Sequence, residues 1–288
     1  MFFSFPSYDV WFLKGFPLFA WFALIPLLIY VREGDFRRVY TASFLSGALG
    51  IFLTYHWIGD FGNKIPGGDV IILSFVIPAL AVVFATKILV AEFLSRRFEP
   101  LRPLIYPSVW VVVDGIQSIG FLAFPWTYWG YSQYPFTALV QISSLVGIFG
   151  VTFLMILSST VTADFVRSAS GRPVSFRWML SIPAFRRLLM VVALVAVSVV
   201  FGAIRMATMP KADEGGKLKL AMVQSCIDPW EAWNSNKFMY LAELGRLTDA
   251  AMKESPDFIV WSESATLELI SYNFRTGGMN PFTGEVLD

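Results

Sequence analysis

The sequence predicts a polytopic α-helical membrane domain followed by the start of an α/β domain. Three observations carry that expectation. First, 56% of the 288 residues are hydrophobic and only 15% charged, with a mean hydropathy of +0.62. A soluble domain carries about a quarter charged residues. Second, the apolar residues fall into six long runs whose connecting loops alternate between basic and non-basic. Third, the composition after Arg205 becomes that of a strand-helix-strand unit.

A membrane helix needs roughly 17–25 mostly apolar residues. The runs lie at about 11–31, 39–58, 70–94, 104–122, 137–163 and 188–204. Lys14 stands near the edge of the first and His56 near the end of the second. The third holds Lys87 and Glu92 in its last turns, and the fourth carries Asp114. Loop 32–38 contains Arg32, Arg37 and Arg38; loop 95–103 contains Arg96, Arg97 and Arg102. Loop 164–187 contains Arg167, Arg172, Arg177, Arg186 and Arg187. The other two loops, 59–69 and 123–136, hold Lys64 as their only basic residue. Positive charge marks the cytoplasmic side. The alternation therefore predicts that the N-terminus and everything after Ile204 lie on the outer side. The N-terminal Met1-Phe2-Phe3-Ser4-Phe5-Pro6 lacks the basic region and cleavage pattern of a signal peptide.

On this reading residues 1–205 form the transmembrane domain, 206–217 a linker and 218–288 the opening of a soluble domain. Leu218-Lys219-Leu220-Ala221-Met222-Val223-Gln224 reads as a strand. From about Asn234 to Lys253 a helix is expected, with Phe238, Leu241, Leu244 and Leu247 at helical spacing. Ser255-Pro256-Asp257 stops it, and Phe258-Ile259-Val260-Trp261 reads as a second, buried strand. A parallel pair joined by one crossover implies a sheet covered on both faces. Two strands do not make such a domain alone, so 218–288 is expected to be its beginning.

The net charge of +1 gives no support to a nucleic-acid partner. One cysteine, Cys226, closes no disulfide within the chain, and one histidine, His56, argues against a site built from several His or Cys ligands; no metal or cofactor is expected. Glu263 stands out because it directly follows the second strand. Catalytic groups of α/β sheets collect at that edge, where a partly desolvated carboxylate serves as general base. The plainer alternative is a loop carboxylate or helix cap. Asp114 is either a functional intramembrane carboxylate or half of a helix–helix hydrogen bond. Lys87 and Glu92 are expected to snorkel to the interface. His56-Trp57 and Pro125-Trp126-Thr127-Tyr128-Trp129-Gly130-Tyr131 read either as an aromatic belt or as a lipid-entry portal. Cys226 reads as a small apolar residue rather than a nucleophile, having no histidine for a base.

Four segments together resemble the apolipoprotein N-acyltransferases, membrane enzymes with a nitrilase-like (carbon–nitrogen hydrolase) domain. They are Ser7-Tyr8-Asp9-Val10-Trp11, Phe124-Pro125-Trp126 with Gly130-Tyr131-Ser132-Gln133, Val223-Gln224 with Trp233, and Ile259-Val260-Trp261-Ser262-Glu263-Ser264-Ala265. The resemblance implies an αββα sandwich after the membrane domain and a location in the bacterial inner membrane, with the soluble part on the periplasmic side. It implies a Glu-Lys-Cys triad that moves an acyl chain from a phospholipid to the N-terminal amine of a diacylglyceryl-modified apolipoprotein. Only Glu263 maps onto that triad. Lys237, Lys253 and Cys226 precede it and so stand in the wrong order. Trp233 corresponds to a tryptophan near the family's active site, and Trp126 and Tyr131 become candidate substrate-binding residues.

The chain departs from the family pattern in several places. It has Ser225-Cys226 where Gly-Asn is usual, Asp114 and Gln117 where Glu and Arg are frequent, and Ser262 where proline is commoner. It also has one helix fewer at its start. The chain is therefore expected to be a fragment, a frameshifted product or half of a split enzyme, inactive by itself. The alternatives are a non-catalytic lipid-binding or scaffold protein and, less well supported, a transporter, which would call for internal repeats.

Overall fold

The computed structural model describes residues 16–62, 66–119, 123–170, 181–209, 218–225 and 233–262, with the backbone alone at 127 and 233–237. The chain divides into two compact units, Met1–Met209 and Pro210–Asp288.

In the first unit, helices α1 (Leu18–Phe22) and α2 (Ile25–Val31) replace one continuous helix. Pro26 in the first turn of α2 has no N–H to extend the preceding ladder, so the helix restarts there. Helix α3 (Phe36–Tyr55) is capped by Asp35, whose carboxylate accepts from the Arg38 amide at 2.8 Å. A 3-10 stretch, His56–Gly62, follows it. Helix α4 (Gly68–Arg97) has 30 residues, a length of about 45 Å. Helix α5 (Arg102–Gln117) is shorter. Two 3-10 turns, Pro125–Thr127 and Trp129–Gln133, lead to α6 (Thr137–Val140) and α7 (Ser143–Ala169). Gly147, at φ 65° and ψ −177°, breaks α7 near its start, a backbone state open to glycine and strained for other residues. Helix α8 (Pro183–Thr208) closes the unit.

Helix α3 packs on α4, α4 on α5, α5 on α7, and α7 on α8. The core gathers Trp21, Leu28, Ile88, Tyr106, Trp110 and Met155 from five helices. The outer surface is apolar as well: Leu45, Phe75, Val112, Val197 and Ile204 are all more than half exposed. Such a surface suits lipid rather than water. Among the described residues three helices, α4, α7 and α8, are long and apolar enough to cross a membrane, and Leu18–Val31 forms a shorter apolar helical stretch. All six apolar runs of the sequence contain helix, with different limits. Among the described residues of the run at 104–122 the helix ends at Gln117, and the run at 137–163 is split between α6 and α7.

In the second unit, strands β1 (Leu220–Val223) and β2 (Phe258–Trp261) pair in parallel, with Leu220 opposite Phe258 and Val223 opposite Trp261. Helix α9 (Trp233–Met252) connects them. Its buried face is Tyr240, Leu241 and Leu244. Phe238, expected on that face, is 72% exposed. The expectation that β2 is buried throughout is also corrected. Its burial alternates, leaving Phe258 and Val260 on the same open face as Leu220 and Met222. The cause is the pleat: one helix covers one face, and successive side chains point to opposite faces.

Candidate functional site

The segment from Phe124 to Gln133 is divided between two roles. Trp129, Gly130, Ser132 and Gln133 are buried and tie the segment to the helices. The Trp129 indole donates to the Ala20 carbonyl at 2.9 Å, and the Gly130 amide donates to Thr152 Oγ1 at 3.1 Å. Gln133 accepts from the Trp21 indole at 2.9 Å and donates to the Pro17 carbonyl at 3.0 Å. Buried polar side chains of this kind hold a loop in one conformation because each lost bond leaves an unsatisfied group.

Tyr128 is buried as well, whereas Trp126 and Tyr131 face outward. Trp126 is 47% exposed and Tyr131 41%. The Trp126 ring stacks on Trp57 at 5.5 Å and meets Phe124 at 5.2 Å, while its carbonyl accepts from the Tyr55 hydroxyl at 2.6 Å. Tyr131 packs against Tyr128 at 5.4 Å. The non-basic connections after α3 and after α5 thus meet at one end of the bundle. Trp126 and Tyr131 belong to separate aromatic groups there.

The arginine-rich connections meet around Glu92, which is fully buried. It accepts from Arg102 at 2.6 Å, from the Tyr106 hydroxyl at 2.5 Å and from Arg96 at 3.1 Å, with Arg32 at 3.6 Å. Arg102 also bonds Asp164 on α7 at 3.1 Å, and Arg96 donates to the Gly34 carbonyl at 2.6 Å. Lys87 is buried too and pairs with Asp114 across the α4–α5 contact. The snorkelling expected of Lys87 and Glu92 is therefore overturned. Each has a charged partner on α5, and a paired charge is tolerated where an isolated one is not. Of the two readings of Asp114, the structure has the helix–helix one, as an ion pair. Arg102, Tyr106 and Asp164 were not foreseen as a group. The available signals were the Glu92–Arg96 spacing of four and an arginine opening an apolar helix.

In the second unit the described residues stop one short of the predicted carboxylate. The Ser262 amide donates to the Val223 carbonyl at 3.3 Å, continuing the β1–β2 ladder at its carboxyl end. Glu263 and Cys226 lie outside the described residues. Trp233 opens α9, and its side chain and that of Lys237 are likewise outside the described set. The Trp261 indole donates to Thr248 Oγ1 at 3.1 Å, tying β2 to α9. At the other end of the strands, the Lys219 amide donates to the Asp257 carboxylate at 2.7 Å.

Residues 1–161 match the family model described as the apolipoprotein N-acyltransferase N-terminal domain. The chain is 26% identical over 282 residues to apolipoprotein N-acyltransferase 1 of Treponema denticola, covering 93% of this chain and 48% of the relative. It is 29% identical over 273 residues to the apolipoprotein N-acyltransferase of Geobacter metallireducens, covering 91% and 48%. Against that of Borreliella burgdorferi it is 24% identical over 263 residues, covering 86% and 45%. The chain spans about half the length of these curated relatives.

Proposed function

The chain belongs to the family of the apolipoprotein N-acyltransferase N-terminal domain, and from that premise we propose that it carries the membrane domain and the general base of a phospholipid-dependent lipoprotein N-acyltransferase. The observation that carries the proposal is the family match over residues 1–161 together with a relative aligned along 93% of the chain.

The chemistry requires a base, a nucleophile and a stabiliser for the oxyanion. Glu263 takes the proton of a cysteine thiol, and the thiolate attacks the ester carbonyl of the phospholipid. The tetrahedral oxyanion collapses against fixed positive charge from a lysine. The ester C–O bond breaks, and lysophospholipid leaves with the proton. The amine of the diacylglyceryl-cysteine then attacks the thioester, forms the amide and returns the thiol. Glu263 is the one member of this triad that maps onto these 288 residues. Its position after β2 in a parallel β-α-β unit supports the assignment, because the carboxyl edge of such sheets collects catalytic groups. The open apolar face of Leu220, Met222, Phe258 and Val260 supports a larger sandwich of the nitrilase type.

The soluble unit belongs on the periplasmic side of the bacterial inner membrane, with six passes before it. Support comes from the convergence of Arg32, Arg96 and Arg102 on Glu92 and of Trp57 and Trp126 on each other. Trp126 and Tyr131, exposed at the aromatic end, are suited to contact lipid, and Trp233 is assigned to the acyl-transfer site by its match to the family's motif.

The test is acyl transfer from phospholipid to a diacylated lipopeptide. Membranes carrying the whole open reading frame that encodes these residues transfer the chain, and Glu263→Gln lowers the rate by about 10²–10⁴-fold. Inactivity of the unsubstituted protein sinks the proposal. The purified 288-residue polypeptide transfers nothing, since triad members act as a unit; turnover by it would overturn that part. A second reading, a lipid-binding membrane protein without catalysis, is favoured by the exposed Trp57–Trp126 stack. It predicts phospholipid binding with no thioester.

A further inference from the structure

Beside the Glu92 cluster lies an open cavity of about 510 Å³. Four arginines, Arg32, Arg102, Arg167 and Arg187, line it against two carboxylates, Glu99 and Asp164. Its wall also includes Ile182, Pro183 and Ala184, the N-cap and first turn of α8. Ile182 at its N-cap supplies no side-chain cap, and the N-terminal end of the helix dipole stands at the cavity wall.

The arginines differ in how far they are already engaged. Arg102 is held by Glu92 and Asp164, and Arg32 by Glu99 at 2.5 Å. Arg167 is paired at 2.6 Å with Glu33, whose side chain is 74% exposed. Arg187 has no ion pair among the described residues. The two carboxylates on the wall are thus matched by Arg32 and Arg102, Arg167 is shared with the exposed Glu33 outside the wall, and the uncompensated charge resides in Arg187.

We propose that this cavity binds a phosphate-bearing anion, seated between Arg167 and Arg187 at the N-terminus of α8. The guanidinium fork matches the spacing of phosphate oxygens and bonds them in pairs. The N-terminus of the long helix α8 adds positive potential, although Pro183 brings no N–H and the Phe185 and Arg186 amides already donate to the Ile182 carbonyl. The volume exceeds that of a bare phosphate and lies within the range of small-molecule pockets, about 300–1,000 Å³. That favours the headgroup of an acidic phospholipid over the free ion. The inference stands on the first unit alone and does not depend on the acyl-transfer reading.

The full chain in neutral detergent is titrated with dioctanoyl phosphatidylglycerol, and bound lipid is counted by native mass spectrometry. Arg187→Gln weakens binding by about tenfold, the loss of one charge-assisted hydrogen bond. Arg167→Gln has the same direction. Arg37→Gln, an exposed arginine on α3 outside the cavity, leaves binding unchanged. Displacement of the lipid by millimolar inorganic phosphate identifies the free anion as the ligand, and retention identifies the headgroup; both support the site. Unchanged binding in Arg187→Gln and Arg167→Gln, or an equal loss in Arg37→Gln, overturns it and leaves only a solvated basic face. Far-ultraviolet circular dichroism of each variant separates loss of the site from loss of the fold.

Discussion

Lys87 and Asp114 stand 27 positions apart and meet as a buried ion pair between α4 and α5. The Lys87 ammonium also lies 5.2 Å from the centre of the Trp110 ring, so its charge is shared between a carboxylate and an aromatic face. Removing one partner leaves the other charged in a low-dielectric site. Lys87→Met is expected to cost about 3–5 kcal/mol of stability, and the double variant Lys87→Met with Asp114→Leu to recover most of it. Thermal unfolding of both proteins in the same detergent checks this. A double variant as unstable as the single one would mean that packing, rather than charge, holds the contact.

The helices pack closely where small residues allow it. At Gly202 on α8 a Cβ would stand 1.7 Å from the Ala138 carbonyl oxygen, which belongs to α6. That neighbour is backbone and cannot rotate away. Gly202→Leu is therefore expected to push α8 from α6 and to destabilise the bundle by about 1–3 kcal/mol or more. Gly245→Ala on α9, where a Cβ meets nothing within 4 Å, is the matched control and is expected to be neutral or slightly stabilising. The comparison is read from the two melting temperatures; equal shifts would remove the close approach as the reason for glycine at 202. The charged network around Glu92 works between elements in the same way. It joins α4 to α5 through Arg102 and Tyr106, and α5 to α7 through Arg102 and Asp164.

For the molecule as a whole, the disposition of charge and aromatic residues makes a topological prediction. Lys253, exposed after α9, and Arg37, exposed on α3, are expected on opposite sides of the membrane. In a Cys226→Ala background, Lys253→Cys is labelled by a membrane-impermeant maleimide in intact spheroplasts. Arg37→Cys is labelled only after permeabilisation. The reverse pattern would invert the orientation, and labelling of both from outside would break the six-pass count.

Apolar runs and arginine spacing were enough to read a helical membrane unit and, after Arg205, a strand-helix-strand unit, because burial in lipid or in a sheet is a property of consecutive residues. The aromatic motif at Phe124–Gln133 was legible as a marker of the family. Its division into a buried anchor of Trp129, Gly130, Ser132 and Gln133 and an exposed pair, Trp126 and Tyr131, was not. Nor was the burial of Lys87 and Glu92, since a charge within an apolar run is costly until a partner on another helix is known. That partner is supplied by packing: Asp114 for one, Arg102 and Tyr106 for the other. Period and composition decide which residues leave water, whereas the pairing of charges 10 to 27 positions apart is decided only when the helices meet.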